Sequence, residues 1–319
     1  MGLKDSRLQF KPFEYDWCYE TWLSHEESHW LFSEISMQND IRNWNNDLTE
    51  YEKNVVGKIL KGFAITEVFV GDYWTTFVAT VFPKPEIIAM CNSFGARESI
   101  HAISYNHLND CLDLNDFEAF LADETTMNKL EVLMQADKND SDENIARSLA
   151  LFSACAEGIQ LFSSFAILMS FGEANMLKGV VNIMNWSSKD ENLHSTAGTR
   201  LFREFIAENP HIWTNTLKQD IYDGVDLALV HEFNFIDSVF EGGCLKNLNK
   251  EQLKNYMYSR ANLKLCELLL ESKYEVDQNL LNEMSWFRTM IQGEGDVDFF
   301  DSKSVNYSKA NSDWDGDIW

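Results

Sequence analysis

The chain has 319 residues, with 51 acidic against 26 basic side chains for a net charge of −25, 45% hydrophobic residues, ten Trp and four Pro. That length and apolar content sustain a sizeable buried core and exclude disorder for most of the chain. The acidic balance excludes a nucleic-acid phosphate surface or an anionic membrane as the main partner, because both demand clustered Lys and Arg.

The prolines stand at 12, 83, 85 and 210, which leaves 86–209 free of that kind of backbone break and predicts long helices. The first residues, MGLKDSRLQFKPF, lack the apolar run of a secretory signal. Cys18, Cys91, Cys111, Cys155, Cys244 and Cys266 form no C-x-x-C pair and read as reduced, mostly buried thiols of a cytoplasmic protein. Over 55–82, Val56, Leu60, Phe63, Val70, Trp74, Phe77 and Val81 recur at three- and four-residue steps, one face of a helix that Pro83 and Pro85 stop. Helices over about 86–108 and 115–135 follow, and KNDSDEN at 138–144 reads as a loop. The stretch 148–172 is long and apolar enough to span a membrane, but Glu157 at its centre would cost roughly 2.5–3.5 kcal/mol facing lipid, so a buried core helix is expected. Helical patterns continue over about 175–206, 212–240 and 248–272, and no run alternates as a strand does. The expected organisation is an all-α helical bundle over 1–291 and a flexible acidic tail over 292–319.

Each of four apolar faces is interrupted by a carboxylate. Glu67 stands between Phe63 and Val70, Glu157 breaks 148–172, and the stripe Ile87, Cys91, Phe94 continues as Glu98, His101 and Tyr105. Glu191 and His194 lie on the stripe of Val180, Met184, Leu201 and Phe205. A buried carboxylate needs a partner. Glu67 precedes Glu98-x-x-His101 by 31 positions and Glu157 precedes Glu191-x-x-His194 by 34, the spacing of a duplicated helix pair. Two Glu-x-x-His motifs plus one carboxylate from each of two further helices make the ligand set of ferritin-like dinuclear carboxylate bundles. Oxygens bridge two ions and a neutral His completes each.

Other patterns carry less. HEESH at 25–29 fits the H-E-x-x-H zinc pattern, yet WLSHEESHW is polar and reads as a solvated helix face. GEGDVD at 293–298 follows no strand, no phosphate-binding G-x-x-x-x-G-K-[ST] occurs, and His107, His211 and His231 lack partners at ligand spacing.

The stretches ESIHAISYNHL at 98–108 and SKDENLH at 188–194 resemble the beta, radical-generating subunit of class I ribonucleotide reductase, and the resemblance runs from about residue 17 to the tail. It implies that Glu67, Glu98 and His101 hold one metal and Glu157, Glu191 and His194 the other, with Glu98 and Glu191 bridging, as an Fe/Fe, Mn/Mn or Mn/Fe centre. Tyr105 then matches the radical-bearing tyrosine, Trp30 and Asp190 the tryptophan and aspartate of the radical route, and Tyr307 the tail tyrosine that relays the radical between subunits. Implied partners are the alpha, nucleotide-binding subunit, a second copy in a homodimer, and a flavoprotein activase in some branches. The best-known members carry Asp where Glu67 stands, Glu occurring in branches that include manganese users, and Leu161 and Ser187 replace apolar or aromatic residues near the radical. Two further readings of the same site are an oxidase or monooxygenase with a substrate cavity beside Glu157, and a ferritin-like storage bundle.

Overall fold

The computed structural model describes residues 2–114 and 141–292. The helix expected over 115–135 and the tail with Tyr307 lie outside them. Among the described residues every regular element is a helix.

Helix α1 (Asp16–Glu27) lies on the bundle, and α2 (Gln38–Asn46) follows. Helix α3 (Glu50–Asp72) runs on through a π-helical stretch, Tyr73–Val78, and a last α turn, Ala79–Val81. Pro85 occupies the first turn of α4 (Pro85–Cys111), where its missing N–H is no loss. A second interrupted rod consists of α5 (Asp142–Leu151), the π-helical stretch Phe152–Gln160 and α6 (Phe162–Glu173). Then come α7 (Lys178–Glu208), α8 (Asn215–Phe240), α9 (Lys250–Glu267), α10 (Gln278–Glu283) and α11 (Ser285–Gln292). The polar loop expected over 138–144 ends earlier, because the Ser141 hydroxyl caps α5 by accepting from the Asn144 N–H. Sequence patterning also passed over most of α1 and all of α2, α10 and α11, which are short or present little apolar face.

Side-chain size sets how closely the site helices approach. On α3, a Cβ at Gly71 would lie 3.1 Å from Glu98 Cβ and 3.5 Å from the Gly95 carbonyl, so two glycines let α3 and α4 come together where Glu67 and Glu98 must meet. Asp40 of α2 fixes the start of α7, its carboxylate accepting from the Gly179 and Val180 N–H groups at 3.0 and 2.9 Å.

The segment Asp142–Glu173 is long and apolar enough to cross a membrane by length and composition, but 94% of its most apolar window is buried inside the protein. It is the core helix that the charge at Glu157 called for. All six cysteines are free. Cys18, Cys91 and Cys155 are buried, Cys111 is half-buried, and Cys244 and Cys266 are exposed, so burial holds for fewer of them than expected.

Candidate metal centre

Four rods converge on one buried chamber. Glu67 comes from α3, Glu98 and His101 from α4, Glu157 from the second π-helical stretch, and Glu191 and His194 from α7; each is at most 1% exposed. Their donor atoms form two overlapping groups, Glu67, Glu98, His101 and Glu191, and Glu98, Glu157, Glu191 and His194, with the atoms of each within 4.8 Å of one another. Glu98 and Glu191 belong to both groups. His101 Nδ1 lies 2.9 Å from both Glu98 Oε2 and Glu191 Oε1, and His194 Nδ1 lies 2.8 Å from Glu98 Oε1 and 3.6 Å from Glu157 Oε2.

These groups do not satisfy one another. Both oxygens of Glu67 and of Glu191, one each of Glu98 and Glu157, and Nδ1 of His194 are buried without a well-formed hydrogen bond. One orphaned carboxylate in the interior costs several kcal/mol, and a cluster of them is untenable unless cations or protons are added. Four carboxylates match the charge of two divalent ions, and oxygen with imidazole donors suits iron or manganese. The residues therefore fit a dinuclear metal group.

The protonation pattern says the same. Burial, then the charges of Glu191 and Glu98, push Glu67 well above the usual carboxylate range. Burial and Glu191 do so for Glu157. Burial opposes charge on Glu98 as well, but His101 and His194 outweigh it and hold that carboxyl below the usual range. Both imidazoles rise well above their usual value despite burial, chiefly through Glu98. Raised groups contribute stability that is complete below the ordinary value and is lost as pH rises through the folded value. The clean window runs from about 6.5, the ordinary imidazole value, to about 8, to which burial pulls Lys264 down. Across it the thermal midpoint of the metal-free chain should fall with rising pH. The added stability from Mn(II) should widen, since metal displaces protons. Thermal unfolding with and without Mn(II) checks this; a metal-free midpoint that rises across the window would contradict it.

Asp190 holds the His101 imidazole from behind. His101 Nε2 lies 3.1 Å from Asp190 Oδ2, and Asp190 also accepts from Trp30 Nε1 at 2.8 Å and from the Arg97 guanidinium at 2.8 and 2.9 Å. Burial opposes the charge of Asp190, but the His101 hydrogen bond and Arg97 keep its carboxyl low. Trp30 stacks on His101 with ring centroids 5.7 Å apart and is 2% exposed. Tyr105 is fully buried, 6.0 Å from His101 centroid to centroid and against Phe63. Its hydroxyl has no well-formed hydrogen bond, and neither has that of Ser187 beside it. Burial, then Glu67 and Glu191, push the phenol well above its usual value.

Sequence reasoning missed three residues here. His25, taken for part of a solvated face, is fully buried, with Nε2 3.2 Å from His194 Nε2; Glu26 and His29 of the same motif are exposed. Arg97 stands one position from Glu98, and the stripe Met90, Phe94, Arg97, His101 could have found it. Trp74, read as plain core, donates from Nε1 to Glu157 Oε1 at 2.7 Å. It sits on one π-helical stretch and Glu157 on the other. Such stretches displace side chains by about one residue from the regular helix, and they concentrate at functional sites. The neighbouring helices support the second one: Ser195 donates to the Ser153 carbonyl at 2.6 Å and Arg260 to the Gly158 carbonyl at 2.7 Å.

The helices and the buried cluster they surround make a ferritin-like helical bundle whose carboxylates and histidines fit a dinuclear metal group. Residues 7–280 match the family model for ribonucleotide reductase, small chain, and the chain belongs to that family. It is 33% identical to the "probable ribonucleoside-diphosphate reductase small subunit" of Invertebrate iridescent virus 3 over 98% of this chain and 88% of that one. It is 23% identical to the ribonucleoside-diphosphate reductase subunit beta of Chlamydia pneumoniae, covering 96% and 92%. Among solved structures, the ribonucleotide reductase R2 subunit from Clostridium botulinum superposes with a TM-score of 0.82 at 19% identity, over 91% of this chain and 94% of that one. A dimanganese(II) NrdF from Streptococcus sanguinis gives 0.75 at 21%, over 88% and 99%.

Proposed function

We propose that Glu67, Glu98, His101, Glu157, Glu191 and His194 would hold two metal ions, and that Tyr105 carries the radical used by the large subunit in reducing ribonucleoside diphosphates. The observation that carries this is the sharing of Glu98 and Glu191 by two ligand groups. The family and its named relatives support the reaction and the large subunit as partner. When bound, the metal pair supplies a strong one-electron oxidant; iron and manganese both suit these donors.

The chain's own residues then have distinct tasks. Glu98 and Glu191 belong to both ligand groups, and the residues that would hold the pair are buried, which would protect an oxidant from side reactions. Tyr105 is held as a neutral phenol by burial and by Glu67 and Glu191. Trp30, bonded to Asp190 and stacked on His101, is the exit from the chamber. Tyr307 carries the oxidising equivalent onward to the large subunit, with the terminal DWDGDIW as docking segment. The active form is a cytoplasmic homodimer; a flavoprotein activase is required if the pair is manganese.

The oxidase reading needs a substrate cavity beside Glu157. Ala154, Cys155, Ile159 and Phe162 around that residue are fully buried, and a cleft of about 540 Å³ lined by His231, Asn234, Asp237 and Lys250 touches none of the ligands. The full chain loaded with iron or manganese should carry two ions and, with the large subunit, form deoxyribonucleotides. A chain that binds no metal pair would overturn the reading. Removing about the last twenty residues should abolish turnover and leave metal content unchanged; retained turnover would overturn the assignment of the tail.

A further inference from the structure

The HEESH motif is used by neither the metal ligands nor the radical route, yet one of its histidines is buried against a ligand. His25 reaches the chamber because the C-terminal end of α1 is pinned there: Arg97 donates to the His25 carbonyl at 2.7 Å and to the Ser28 carbonyl at 3.3 Å. Its ring meets His194 with centroids 5.0 Å apart and a 70° tilt, and it rests edge-on against Phe94.

The hydrogen-bond directions form a single consistent series. His194 turns Nδ1 toward Glu98, Glu157 and Glu191, so as a ligand it holds its proton on Nε2. His25 Nε2, at 3.2 Å, then accepts that proton's hydrogen bond. His25 is left with its own proton on Nδ1, which faces Ser93 Oγ at 2.7 Å, and the Ser93 hydroxyl donates to Glu26 Oε1 at 2.6 Å. Every donor meets an acceptor, and the series ends at an exposed carboxylate. Ligand histidines need such a partner to fix tautomer and ring orientation. His101 has Asp190 for this; His194 has His25.

We propose that His25, held by Ser93 and Glu26, is the positioning residue for His194 and thereby sets the affinity of the metal position formed by Glu157 and His194. The proposal rests on the dinuclear reading above. It assigns a role to an uncharged partner, so a side chain with one acceptor and one donor in the same place should replace it. Gln meets that requirement and Leu does not.

The test is a Mn(II) titration of the full chain, with free ion counted by electron paramagnetic resonance, on the parent, His25→Leu, His25→Gln and Ser93→Ala, each checked for folding by thermal unfolding. In His25→Leu the first ion should bind as in the parent and the second about 10–100-fold more weakly. His25→Gln should restore the second ion. Ser93→Ala, which leaves every ring in place, should weaken the second ion by a smaller factor and covers the case in which His25→Leu does not fold. Parent-like binding of both ions by His25→Leu and Ser93→Ala, or a His25→Gln as weak as His25→Leu, would overturn the proposal. A parent that binds no ion pair would instead overturn the dinuclear reading and this inference with it.

Discussion

Replacing Glu98 with Ala should remove both metal ions, whereas Glu67→Ala and Glu157→Ala should each remove one. Glu98 is shared by the two ligand groups, while Glu67 and Glu157 each belong to one. The physical cost of the change is twofold. A carboxylate shared by the two ligand groups is lost, and the two imidazoles that depend on Glu98 for their raised proton affinity lose their main anionic neighbour. Metal content per chain, read by elemental analysis after loading and gel filtration, should fall from two toward zero in Glu98→Ala and toward one in the other two. Turnover with the large subunit should be at background in all three. A Glu98→Ala chain that keeps two ions would contradict the bridging role.

Tyr105→Phe should leave metal content and fold intact and reduce turnover with the large subunit to background. Its effect on stability should run opposite to that of most core substitutions. The Tyr105 hydroxyl is fully buried without a well-formed hydrogen bond, and such a group costs about 1–3 kcal/mol relative to a satisfied one. Removing it should therefore be neutral or stabilising by up to about 2 kcal/mol, read by denaturant unfolding of the metal-free chain. A loss of stability of similar size would mean that the hydroxyl is bonded and structural. A costly polar atom kept in the core beside a cluster of buried carboxylates is the kind of local conflict that function explains.

Much of this was legible in the sequence, for a definite reason. A buried carboxylate interrupts an apolar helical stripe visibly, and four such interruptions at matched spacing point inward together. Glu67, Glu98, Glu157 and Glu191 could thus be read from periodicity, with His101 and His194 three residues beyond two of them. The rest depended on three-dimensional register. The π-helical stretches leave no mark in the apolar pattern, so Trp74 looked like another core position, although its indole N–H is aimed at Glu157. His25 was hidden by its surroundings. Helix α1 buries Trp17, Cys18 and His25 while exposing Glu26 and Glu27, so its inward histidine sits inside a polar string. Arg97 drew no notice beside Glu98, yet it is buried and turns to Asp190 and the end of α1.

On the reading proposed above, the six buried residues would hold a metal pair that supplies the oxidant for Tyr105. The most direct test is the electron paramagnetic resonance spectrum of the full chain loaded with iron and exposed to oxygen, compared with Tyr105→Phe carrying the same amount of metal. A narrow tyrosyl signal is expected in the parent and none in Tyr105→Phe. An unchanged signal in Tyr105→Phe would contradict it.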